Sequence, residues 1–91
     1  VPEIKKGDRV HIIENGKNVF DGIIDFFIVQ SIKETGRGLE IDLKFKYKKR
    51  QDFLEAKVKS RLKNKFGDWL YFPLVCTRRE AFAKFRKLDI Q

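Results

Sequence analysis

The sequence predicts an α+β fold: an antiparallel three-strand meander, then a fourth strand and two helices, in the order β-β-β-α-β-α. Three observations carry this. From Leu39 to Lys48 apolar and polar residues alternate without a break, the two-residue period of a strand with one buried face. Asn15-Gly16 lies between two apolar-rich runs, and both central residues of a type I′ hairpin turn need positive φ, which Asn and Gly tolerate. Two later stretches, opening at Asp52 and Thr77, begin with a capping pair and continue with apolar residues at helical spacing.

Val1 to Lys6 is a lead-in, irregular around Pro2. Gly7-Asp8 is a turn signal before a short strand, Arg9 to Glu14. After the Asn-Gly turn a long strand is expected from Asn18 to Lys33. It is apolar in both phases: Phe20, Ile24, Phe26, Ile28 and Ile32 in one, Val19, Ile23, Phe27 and Val29 in the other. Such a strand is central, or bends so that each half serves a different layer, with Gly22 the natural bend or bulge. Glu34 to Gly38 turns the chain into the Leu39 strand. There Leu39, Ile41, Leu43, Phe45 and Tyr47 form the dry side, and Glu40, Asp42, Lys44, Lys46 and Lys48 the wet one. The wet side changes from acidic to basic along its length.

The first helix is expected from Asp52 to Phe66, with Glu55 completing the capping box and Gly67 as the stop. Leu54, Val58, Leu62 and Phe66 would be its buried stripe. Lys57, Arg61 and Lys65 flank that stripe on one side, Lys59 and Lys63 on the other. The fourth strand, Asp68 to Cys76, puts Leu70, Phe72, Leu74 and Cys76 on one face and Trp69, Tyr71, Pro73 and Val75 on the other. Pro73 has no N–H for a ladder, so this strand belongs at an edge or is bulged there. Thr77 and Glu80 cap the last helix, whose buried face would hold Ala81, Phe82, Phe85 and Leu88.

Lys5-Lys6-Gly7-Asp8-Arg9-Val10, a hairpin away from a long bent strand, is similar to the opening strands of small SH3-like barrels of the KOW type. The resemblance is confined to those first strands. It implies a bent sheet that closes towards a small barrel, and a class of domain that often binds nucleic acid.

At 91 residues the chain has room for one core. An apolar content of 42% with nine Phe suffices to build it, which argues against global disorder. One Cys excludes an internal disulfide framework. One His with one Cys excludes a zinc site of four Cys/His ligands. No apolar run approaches the roughly 18 residues of a membrane span, and no signal-peptide pattern opens the sequence. A soluble intracellular protein of the cytoplasm, nucleoid or nucleus is expected, with no cofactor and no metal.

Charge is the most informative property. Net charge is +8, and it is unevenly placed. Residues 1–43 hold six Lys/Arg against eight Asp/Glu, whereas 44–91 hold fifteen against five. A neutral-to-acidic scaffold followed by a basic strand-helix-strand-helix segment points to a polyanionic partner, most often nucleic acid. The candidate contacts are Lys44, Lys46 and Lys48 on the strand, Lys49 and Arg50 at the junction, Lys57, Arg61 and Lys65 on the first helix, and Arg78, Arg79, Lys84, Arg86 and Lys87 on the last. Such cations hold phosphates without reading bases. Trp69 and Tyr71 share a strand face and suit stacking on unpaired bases. The expectation is one continuous electropositive tract built by the second half of the chain. An acidic protein partner is the alternative, favoured by the edge character of the Trp69 strand.

A nuclease is a lesser alternative. Glu40-Ile41-Asp42-Leu43-Lys44 resembles the active-site strand of PD-(D/E)xK nucleases, which implies a metal held by Asp42 and an upstream acid, with Lys44 stabilising developing charge. The predicted register is unfavourable: with a loop at 35–38, Asp42 faces Ser31 and Asp25 faces Lys48, roughly 20 Å apart along the strand. The same register pairs Glu40 with Lys33 and Ile41 with Ile32. His11 and Cys76 have nothing to bring them together, and Gly36-Arg37-Gly38 reads as a turn rather than a phosphate loop.

Overall fold

A computed structural model of the chain describes residues 4–60 and 66–89, and of 58–60 the backbone alone. The predicted lead-in at Pro2 lies outside the described residues. The fold is α+β, with strands β1 (Arg9–Glu14), β2 (Lys17–Asn18), β3 (Phe27–Thr35), β4 (Gly38–Phe45), β5 (Leu70–Cys76) and β6 (Phe85–Lys87). Helix α1 (Arg50–Ser60) lies between β4 and β5, and α2 (Arg78–Lys84) between β5 and β6. All pairings are antiparallel, in the order β2-β1-β3-β4-β5, and β6 pairs with β1. The sheet curls into a half-barrel. The observed order is therefore β-β-β-β-α-β-α-β rather than β-β-β-α-β-α.

Side chains of the dry phase of β4 fill the concavity. Ile41, Leu43 and Val10 are fully buried, and Phe45, Phe27 and Val29 nearly so. Burying each such side chain stabilises the fold by about 1.5–3 kcal/mol. The Phe27 ring lies 5.1 Å from Phe45 and 5.4 Å from Phe20, and Tyr47 continues the cluster 5.4 Å from both Phe45 and Phe53.

The β1 strand and its turn follow the sequence reading, with φ of 52° at Asn15 and 76° at Gly16. The β3–β4 pairs Ser31–Asp42, Ile32–Ile41 and Lys33–Glu40 are those the loop length implied. A bulge between Val29 and Ser31 then shifts the register, yet Asp25 still reaches Lys48, at 2.9 Å. β5 lies at the end of the sheet path, the edge that Pro73 required.

Three expectations are corrected. The strand expected from Asn18 to Lys33 is interrupted: 19–23 form turns, with Ile23 and Ile24 N–H groups donating to the Phe20 carbonyl. A straight strand would leave one apolar phase in water, whereas the turn sets Phe20 against Phe27 and Phe72 and buries Ile24. Helix α1 begins at Arg50, so Asp52 lies in its first turn instead of capping it, and the Phe53 N–H donates to the Lys49 carbonyl at 3.1 Å. Its buried residues are Ala56 and, partly, Phe53, while Leu54 and Phe66 are exposed. Burial of Phe53 against Tyr47 outweighs an N-cap worth ~1 kcal/mol. The rest of the expected stripe, Val58 and Leu62, lies outside the described side chains. The last helix stops at Lys84, and Phe85–Lys87 pair with β1 as a strand. Ala81 and Phe85 stay buried, but Phe82 is exposed. Pairing satisfies backbone groups of β1 that a longer helix would leave open.

Candidate nucleic-acid interface

Residues opposite one another in an antiparallel ladder share a face. The register therefore builds a row across four strands: Arg9 on β1, Ile28 on β3, Lys44 on β4 and Tyr71 on β5. At ~4.8 Å per strand this row is about 14 Å long. Lys44 alternates with the buried Leu43 and Phe45, so the row lies on the outer face of the sheet. Trp69 precedes β5 and completes the group. The ammonium groups of Lys46 and Lys44 lie 4.4 and 4.9 Å from its ring centroid, well inside the ~6 Å range of a cation–π contact. At the far end the Arg9 guanidinium lies 4.8 Å over Phe26. Trp69 is 44% and Tyr71 58% exposed, so neither ring is covered by a helix.

The other end of this outer face is mixed in charge. Glu40 pairs with Lys33 and Val75, and Asp42 with Ser31 and Pro73. The Ser31 hydroxyl donates to Asp42 at 3.2 Å.

Most of the other candidate cations that the structure describes have different surroundings. Lys48 is bound to Asp25, whose hydrogen bond and charge hold the ammonium above the usual lysine range. Lys49 and Arg50 are exposed at the start of α1. Lys57 lies 6.0 Å from the Phe53 ring of the same helix. Arg61 and Lys65 lie outside the described residues. Arg78 pairs with Glu34 at 3.1 Å, Lys84 with Glu80 at 3.9 Å and Lys87 with Asp8 at 3.6 Å. Arg86 donates to the Gly16 carbonyl at 3.5 Å, and Arg79 is exposed on α2. The continuous tract expected from the sequence is thus divided, and several of its cations are neutralised. Arg78, Arg86 and Lys87 line a cavity of about 620 Å³ whose wall includes Leu39. Leu39 stands five residues from Lys44 along β4, roughly 16 Å, so this second group is set apart from Lys44 and Lys46, towards the other end of the strand.

That cavity was not foreseen. Its walls include Ile32, Phe82 and Phe85, which read as ordinary core in the sequence. Arg9 was also missed as a member of the outer row. The signal was present in the register, since a loop at 35–38 already aligned β3 with β4, but the placement of β1 was not legible.

The acids invoked for a nuclease are separately engaged, Asp25 by Lys48 and Asp42 by Ser31. Among the described residues no three His, Cys, Asp or Glu side chains cluster to hold a metal. His11 Nε2 is 2.8 Å from the Asp25 carbonyl, and Cys76 is buried three strands away on β5. Burial pushes the Cys76 thiol above its ordinary range. No helix among the described residues is long and apolar enough to cross a membrane. Comparison with known protein families, curated proteins and solved structures finds no match.

Proposed function

We propose that the chain is a nucleic-acid-binding domain that binds without catalysis, and that its contact surface is the outer face of β4 and β5. Lys44 and Lys46 meet phosphates, Trp69 and Tyr71 offer ring surface, and Arg9 extends the row. The observation that carries this reading is the pair of ammonium groups set against one exposed indole ring. An apolar ring held at the surface among cations has no share in the core, and it supplies the two elements that polyanions with aromatic bases recognise. Among the described residues no acid pairs with Lys44 or Lys46, whereas Glu40 and Asp42 keep a phosphate backbone from the other end of β4. Sequence reading of bases is not part of the proposal, because the cations would meet the backbone. The strand path β1-β3-β4-β5, from which the chain returns through α2 to pair β6 with β1, supports an SH3-like small barrel with α1 inserted before its fourth long strand.

The test is a charge reversal with a matched control. Lys44→Glu with Lys46→Glu should weaken binding of a labelled nucleic acid by tenfold or more in fluorescence anisotropy. Arg79→Glu with Arg86→Glu changes net charge equally, on α2 and β6, and should leave affinity nearly unchanged. Equal losses in both doubles would refute the assignment to this face.

A second reading is docking of an acidic protein, favoured by Tyr71, Pro73 and Val75, which lie exposed on an edge strand. Pro73 has no N–H and interrupts that edge as a template for an added strand. A pull-down repeated after nuclease treatment separates the readings: the partner is lost if nucleic acid carries it and retained if protein does.

A further inference from the structure

We infer that the ligand of this outer face is a single strand, with one base stacked on Trp69 and the next on Tyr71. The inference rests on the nucleic-acid reading above and adds the strandedness of the ligand.

Trp69 immediately precedes β5 and Tyr71 lies two residues further on, within it, so in extended chain their attachment points are separated by roughly 6.6 Å. Consecutive unpaired bases can occupy two platforms at that spacing. Paired bases cannot, because the rings stand out from a sheet and a duplex keeps its base faces covered by their neighbours. Both ammonium groups on the indole come from β4. β5 is the terminal strand of the sheet path, so among the described residues no strand lies beyond the ring on the side away from β4. A base can approach there while its phosphate passes the ammonium groups. The nucleic acid would then follow β5 from Trp69 to Tyr71 and turn across the sheet along the Lys44 row, towards Arg9 and Phe26. Continuing along β5 it would meet the carboxylates of Asp42 and Glu40, which oppose Pro73 and Val75. A footprint this short, with acids at one limit, suits a few nucleotides of single strand and not the two phosphate rows of a duplex.

The measurement uses the full chain and three probes: an oligothymidylate of about twelve nucleotides, an abasic strand of equal length, and a blunt duplex of about twelve base pairs. Trp69 is the only tryptophan, so its own fluorescence reports stacking by quenching, and anisotropy reports binding. The intact strand should bind about tenfold or more tighter than the abasic strand and the duplex. Trp69→Ala and Tyr71→Ala should each weaken it by roughly 5- to 150-fold, with little effect on the abasic probe. Trp69→Phe keeps a ring and should retain most of the affinity, which guards against loss through misfolding. Equal binding of intact and abasic strands, or tighter binding of the duplex, would overturn the single-strand inference and leave the phosphate-binding face standing. If no probe binds, or if all bind but charge reversal at Lys44 and Lys46 changes nothing, the proposed face itself fails and the inference with it.

Discussion

A β-carbon on Gly38 would lie 2.6 Å from the carbonyl oxygen of Cys76, and φ there is +124°. Backbone of β5 cannot withdraw without breaking its ladder with β4, so Gly38→Ala should destabilise the fold by about 2 kcal/mol or more. Gly36, two residues earlier in the same loop, meets nothing within 4 Å. Gly36→Ala should therefore be nearly neutral, and chemical denaturation of the two variants side by side checks the contrast. Tyr47 supplies a second case. It is 5% exposed, and its hydroxyl has no hydrogen-bond partner among the described residues. The same burial raises its pKa. Tyr47→Phe removes an unpaired buried polar atom and keeps the ring edge-on to Phe45 and tilted against Phe53. It should raise stability by roughly 1 kcal/mol, seen as a higher midpoint in urea.

At the level of the element, legibility followed the density of local signals. The Asn15-Gly16 turn, the β3–β4 register and the Thr77–Glu80 cap each rest on residues close in sequence, and each could be read. Helix α1 could not, because two apolar faces were available and the choice of Phe53 over Leu54 depends on where Tyr47 stands in space. The break after Asn18 depends likewise on Phe20 finding Phe27 and Phe72. β6 was read as helix because Ala81 and Phe85 lie four apart, a spacing that also lets a helix end and a strand begin facing the same core. Truncation separates the two descriptions. Phe85→Ala should cost about 3–5 kcal/mol, whereas Phe82→Ala, on an exposed site, should cost under ~1 kcal/mol. In a helix continuing to Leu88 both would be expensive. The cap carries a pH signature. Thr77 donates its backbone N–H to the Glu80 carboxylate and accepts the Glu80 N–H at its own hydroxyl, and these contacts hold the Glu80 carboxyl below its ordinary value of 4.5. A depressed carboxylate stabilises the fold above its unfolded pKa, and the contribution is lost as pH falls through the folded one. Glu80→Gln should therefore lower the melting temperature at neutral pH and converge with the parent in acid, once pH has fallen through the folded pKa.

For the whole molecule, composition located the charge in the second half but said nothing of its arrangement in space. The fold sends Lys44 and Lys46 to one end of β4 and gathers Arg78, Arg86 and Lys87 round the cavity beside Leu39 at the other, with Asp25, Glu34, Glu80 and Asp8 taking up Lys48, Arg78, Lys84 and Lys87. Salt sensitivity follows from that division. A single strand held by two or three phosphates gives a log–log slope of about −1.5 to −2, at roughly −0.7 per contact. A domain using all its second-half cations would show a slope several times steeper.

The most direct test of the account is an amide chemical-shift titration of the chain with a short single strand. The account predicts that the largest perturbations fall on Lys44, Lys46, Trp69 and Tyr71, with the Trp69 indole N–H and Arg9 among them. Perturbations centred on α2 and β6, or none at all, would contradict it.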